Sequence, residues 1–105
     1  MAVRVSGENF GSEVLEAKGL VLADFYSDSC VPCKRLSPVL AEIEEEYGES
    51  ISAVKINVNF DEELAEQYGV TAVPTIVFFK NGAEASRLGS PIKKADIALA
   101  IENLK

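Results

Sequence analysis

Apolar and polar residues alternate with two different periods along this chain, and the switches between them divide it into strand-like and helix-like segments. The run "AVRV" at 2–5 is short and β-branched, and predicts a strand. Ser6 then opens a stretch in which Phe10, Val14 and Leu15 recur at helical spacing. It predicts a helix capped by Ser6, reaching about Lys18 and ended by Gly19. "LVLADFY" at 20–26 is almost continuously apolar and of strand length, as expected of a strand buried on both faces. From Val31 to Tyr47 the apolar residues Leu36, Val39, Leu40, Ile43 and Tyr47 return at helical spacing. Gly48 stops that helix, and Pro38 predicts a kink inside it.

The second half repeats the alternation. "ISAVKINV" at 51–58 predicts a strand, and Asp61 is placed to cap a short helix over "EELAEQYG". "PTIVFFK" at 74–80 is a third strong strand, and Asn81–Gly82 predicts a tight hairpin into "AEASRLG". A last amphipathic helix runs from Lys93 or Lys94 to Leu104, with Ile97, Leu99, Ala100, Ile101 and Leu104 as its apolar positions. The order predicts an α/β fold: a central mixed sheet, parallel in its first half, closing in an antiparallel hairpin, with helices on both faces.

Composition narrows the partners. The 105 residues suffice for one domain, 1–105, with one core, and 48% hydrophobic content fills that core without staples. A net charge of −7 without histidine disfavours nucleic acid and anionic membranes, which select Lys and Arg. The N-terminal "MAVRVSGENF" lacks the apolar core of a secretion signal, and the apolar run "GLVLADFY" is short and broken by Asp24. The expectation is a soluble cytoplasmic protein, in a compartment where a permanent disulfide is disfavoured and a transient catalytic one is not.

That expectation bears on the chain's two cysteines, Cys30 and Cys33, which lie where a strand gives way to a helix. Three residues of helix advance about 4.5 Å on a radius of roughly 2.3 Å, so the Cα atoms stand about 5 Å apart, within disulfide range. Such a short loop makes a poor staple, about 2 kcal/mol against about 4.7 for a 100-residue loop. Zinc needs four ligands, and the chain has no histidine and no third cysteine; a dimer could supply two pairs to zinc or an iron–sulfur cluster. Two inert core thiols are a further alternative. The helix N-terminus favours chemistry, because its free N–H groups stabilise a thiolate. Pro32 fits the first turn, and Lys34 and Arg35 add positive charge against Asp28. On this reading Cys30 is the exposed nucleophile and Cys33 the shielded resolving thiol.

The stretch "DFYSDSCVPCKRLSP" resembles the thioredoxin family, together with Asp24, Lys55, "AVPT" and the closing "NG…LGS", and the resemblance covers nearly the whole chain. It implies the thioredoxin fold, a mixed sheet with four helices in the order βαβαβαββα. It implies a protein-disulfide reductase without bound cofactor or metal, acting as a monomer on disulfide-containing clients and recycled by a thioredoxin reductase. By the same resemblance Asp24 is a buried acid beneath Cys33 that handles its proton, with Lys55 as its neighbour. The resemblance further implies a cis Val73–Pro74 bond, with Pro74 packed against the cysteines and shielding them from metal and Val73 offering its backbone to an extended substrate. Ser29, Val31, Pro32, Gly89 and Ser90 complete the docking groove. For Gly82 plain turn chemistry is sufficient.

The chain departs from the family pattern at three places. Ser29 and Val31 stand where Trp and Gly usually flank the first cysteine, and Tyr26 stands at a second common Trp position. Ser29 is placed to cap the helix instead, and Val31 stiffens the turn. These changes bear on the reductase and the client range. They also motivate an alternative of another class, a thioredoxin-fold binding module with little redox turnover.

Overall fold

The computed structural model describes residues 3–104, so Ala2 of the first expected strand lies outside it, as do Met1 and Lys105. Five strands form one sheet in the order β1-β3-β2-β4-β5. They are β1 (Val3–Arg4), β2 (Leu20–Tyr26), β3 (Ile51–Asn57), β4 (Thr75–Lys80) and β5 (Ala83–Gly89). β1 and β2 run parallel to β3, β4 is antiparallel to β2, and β5 is antiparallel to β4. Three α-helices, α1 (Val31–Tyr47), α2 (Glu62–Gln67) and α3 (Lys94–Leu104), and a π-helical turn at Gly11–Leu15 cover the sheet.

Strand alternation divides the core in two. Val21, Ala23 and Phe25 of β2 face a cluster with Phe10, Val14 and Leu64, under the π-helical turn and α2. Leu20 and Leu22 face the opposite cluster, where α1 contributes Leu36, Leu40 and Ile43 and α3 contributes Ile97 and Ile101. Each such Val, Leu, Ile or Phe side chain stabilises the fold by about 1.5–3 kcal/mol through burial. β2 is the central strand, buried from Leu20 to Phe25. Asp24 lies in phase with Leu20 and Leu22, so its carboxyl belongs to the α1 face.

Three elements differ from the sequence reading. The helix expected from Ser6 to Lys18 is reduced to Gly11–Leu15. Before it, Ser6 N–H donates to Asn9 Oδ1 at 2.8 Å and Glu8 N–H to Ser6 Oγ at 3.3 Å. Those local bonds compete with helix, and Gly7 and Gly11 weaken it further. Asp61 occupies the N-cap of α2 without a side-chain capping bond; its Oδ1 instead accepts from Gly7 N–H at 3.0 Å. In α3 Leu99 is 63% exposed while Ile97 and Ile101 are buried. At 100° per residue, Leu99 is turned away from the face those two share. α1 runs unbroken from Val31 to Tyr47 with Pro38 inside it.

The β4–β5 hairpin turns on Asn81 (φ 52°) and Gly82 (φ 85°), as the Asn-Gly pair predicts. Gly82 has a second reason to be glycine that its sequence did not reveal. A Cβ there would collide with the Leu15 carbonyl, which ends the π-helical turn.

Candidate active site

Antiparallel pairing brings three loops to one end of the sheet. Thr75 opens β4 beside Phe25 near the end of β2, and Gly89 at the end of β5 pairs with Thr75. The segments Ser27–Cys30, Val73–Pro74 and Gly89–Ser90 therefore share an edge, although they are far apart in the chain.

The first of these loops is tied by its own side chains. Val58 N–H donates to Tyr26 O at 2.9 Å, fixing the end of β2 against β3. Asn57 Nδ2 donates to Asp28 Oδ2 at 3.1 Å. Ser29 N–H donates to Ser27 Oγ at 3.3 Å, and the two hydroxyls lie 3.2 Å apart. Ser29 is thus not the helix cap. Cys30 holds that position with extended backbone, and its Sγ accepts the Cys33 N–H at 3.1 Å. Sulfur here takes the part that serine or aspartate oxygen plays at other N-caps, receiving an orphan donor of the first turn. Pro32 lies in that turn.

Cys30 and Cys33 are joined as a disulfide with Cα atoms 5.2 Å apart, close to the helical-turn expectation. The two sulfurs differ in access: Cys33 is 5% exposed and Cys30 is half-buried at the surface. Val31 beside them is 56% exposed, and Ser29, Pro32, Gly89 and Ser90 are exposed as well.

Beneath Cys33 lies a cavity of about 330 Å³ lined by Asp24, Tyr26, Ser27, Asp28, Cys33 and Lys55, among others. Asp24 is buried, and its Oδ1 has no hydrogen-bond partner. Burial raises its carboxyl from 3.8 to about 7, with the charge of Lys55 pulling in the opposite direction. Lys55 is the register partner of Asp24 across β2–β3. A larger depression of about 460 Å³, at Ala41, Glu44 and Ser52, contains neither cysteine.

On the other flank the Val73–Pro74 peptide is cis, with Pro74 buried and Val73 half-buried. Thr75 Oγ1 donates to Ala72 O at 2.7 Å, closing the loop on itself. A second cis peptide, Ser90–Pro91, was not anticipated from the sequence. The Asp28–Asn57 and Ser27–Ser29 ties were also missed. The available signal was the position of Asn57, a polar residue ending a strand whose register partner is Tyr26, one residue before that loop.

Among the described residues no three His, Cys, Asp or Glu side chains cluster so as to hold a metal ion. No helix among them is long and apolar enough to cross a membrane.

Comparison with known proteins agrees with this geometry. The Thioredoxin family profile matches residues 1–103. Thioredoxin 1 of Synechococcus elongatus is 32% identical over 102 residues, covering 97% of this chain and 95% of that protein. Thioredoxin of Chlamydia caviae is 46% identical over 84 residues, 80% of this chain and 79% of its own. The structure of a mutant thioredoxin from Halobacterium salinarum superposes with a TM-score of 0.89 at 32% identity, covering 98% of this chain and 89% of that one. With a disulfide-forming Cys30–Cys33 pair at the head of a helix on this sheet, the chain belongs to the thioredoxin family and is a thiol–disulfide oxidoreductase acting on protein disulfides.

Proposed function

We propose that Cys30 is the nucleophile and Cys33 the resolving thiol, in a single domain spanning 1–105. The observation that supports this assignment best is the unequal access of the two sulfurs at one helix N-terminus, with Cys33 at 5% exposure and Cys30 half-buried at the surface. In the reduced protein the Cys30 thiolate attacks one sulfur of a client disulfide. A new S–S bond forms, and the displaced client sulfur leaves with the electron pair. Asp24 then takes the Cys33 proton, and the Cys33 thiolate attacks Cys30. The mixed disulfide breaks, and the second client sulfur leaves as a thiolate and is protonated by water. Two electrons have passed to the client, and the Cys30–Cys33 disulfide remains.

Asp24 suits the proton step because a base with its pKa near the working pH both accepts and returns a proton readily. Lys55 is the charge that accompanies it. The client lies extended along Val73, which pairs with it by backbone bonds, while Pro74, Val31, Pro32, Gly89, Ser90 and Ser29 line its path. A thioredoxin reductase returns the disulfide to the dithiol, and the cytoplasm is the compartment in which that cycle runs. Reduction of insulin disulfides by dithiothreitol tests the activity: the protein accelerates it, and a rate no higher than in buffer contradicts the proposal. Cys33→Ser accumulates mixed disulfides with clients and Cys30→Ser does not; equal trapping by both overturns the roles.

A further inference from the structure

The ammonium of Lys55 has two competing neighbours. Its register partner is Asp24, a buried carboxyl with one oxygen unpartnered. A direct ion pair is the usual way to accommodate a buried carboxylate opposite a lysine. The ion pairs among the described residues join Arg87 to Glu84 and Lys94 to Glu42 and Glu46, and include neither Asp24 nor Lys55. Lys55 Nζ lies 4.9 Å from the centroid of the Tyr26 ring instead. That is inside the roughly 6 Å over which a ring face attracts a cation. Alternation along β2 puts Asp24 and Tyr26 on one face, two residues apart, and all three line the cavity under Cys33.

We propose that Tyr26 is a positioning residue: its ring holds the Lys55 ammonium beyond ion-pair distance of Asp24 and so leaves that carboxylate free to take the proton of Cys33. The inference rests on the roles assigned to Asp24 and Cys33 above. A carboxylate locked to an ammonium is a poor base; one that is buried beside a distant ammonium is a better one. The raised carboxyl of Asp24 agrees, since burial there outweighs the pull of Lys55. The other titratable groups lining the cavity are Cys33 and Lys34 from α1 and Asp28 from the loop, beside the uncharged Ser27 and Ser37, while β4 sets the uncharged Ile76 opposite Asp24. Lys34 and Asp28 are exposed and therefore screened, whereas Lys55 is half-buried, so the place of its ammonium governs the field at Asp24.

The test is a carbon-13 NMR titration of the Asp24 carboxyl in the oxidised protein, with Tyr26→Phe, Tyr26→Leu, and Tyr26→Leu combined with Lys55→Met. Tyr26→Phe keeps the ring and titrates like the parent. Tyr26→Leu releases the ammonium, and the midpoint falls by about one pH unit. In a Lys55→Met background Tyr26→Leu no longer lowers it. An unchanged midpoint in Tyr26→Leu, or an equal fall without Lys55, overturns the proposal. The parent protein gives an independent reading in which no variant has to fold. Ring current from Tyr26 moves the Lys55 ε-methylene protons upfield, and unshifted protons also overturn it. No client takes part in these titrations, so failure of the insulin assay would remove the proposed reductase cycle and leave the Tyr26–Lys55 result standing.

Discussion

Asp24 is buried in the cavity beneath Cys33 with one oxygen unpartnered, and that burial ties the stability of the fold to pH. Burial pushes its carboxyl up from 3.8 to about 7 in the folded protein, while the unfolded chain keeps the ordinary value. Below pH 3.8 both states hold the proton and burial carries no ionisation penalty. As pH rises to 7 the unfolded chain releases the proton and the folded one retains it, so stability falls through that window and stays lower above it. At about 1.4 kcal/mol per pH unit the loss is of order a few kcal/mol. Asp24→Asn removes that dependence. Denaturant melts should show the variant gaining on the parent steadily between pH 4 and pH 7 and keeping that gain above it; a constant difference from pH 4 to pH 7 would contradict the buried, unpaired carboxyl. The same variant slows resolution of the mixed disulfide by about 100-fold near pH 7, as expected for loss of a general base. The acid was legible in the sequence because a charge in "LVLADFY" conflicts with its surroundings. The destination of the Lys55 ammonium was not, since alternation places Tyr26 and Asp24 on one face without saying which of them a flexible lysine will meet.

Among the elements, the hairpin shows how a turn residue acquires a tertiary duty. Asn81 N–H donates to Gly19 O and Gly19 N–H to Asn81 Oδ1, each at 3.0 Å, so the turn is bolted to the entry of β2. Gly82 sits against the Leu15 carbonyl. Gly82→Ala therefore meets both a left-handed backbone and a collision, and destabilises by roughly 2–4 kcal/mol. Gly69→Ala is the control: φ is +66° but nothing lies within 4 Å of its added Cβ, so the backbone alone sets a loss of about 1 kcal/mol. Equal losses in the two variants would mean that the contact with Leu15 carries no weight. β2, β3, β4, α1 and α3 were readable because their apolar runs are long, and β5 because Asn81–Gly82 marks the turn before it. The Ser6–Lys18 segment was not, because side-chain-to-backbone bonds at Ser6 and Asn9 override an apolar spacing that remains real at Phe10 and Val14.

Across the whole molecule, topology brings distant segments to the end of the sheet that carries the cysteines. Parallel β2–β3 pairing sets Lys55 beside Asp24, and the antiparallel return of β4 and β5 carries Val73–Pro74 and Gly89–Ser90 toward the cysteines. The element order predicted the mixed sheet and its closing hairpin, and the family resemblance supplied the segments that meet at the cysteines; periodicity alone gives no angle between loops and no peptide isomer. The cis bond at Val73–Pro74 was expected only through family resemblance, and the one at Ser90–Pro91 had no such guide. What the assembly delivers is two sulfurs three residues apart in unlike surroundings, one half-buried at a helix terminus and one buried over the cavity that holds the Asp24 carboxyl. Brief alkylation of the reduced protein with iodoacetamide at pH 7, mapped by peptide mass spectrometry, tests that difference directly. The account predicts rapid labelling of Cys30, faster than a free small-molecule thiol, while Cys33 remains unmodified; equal labelling of the two, at the rate of the free thiol, would contradict it.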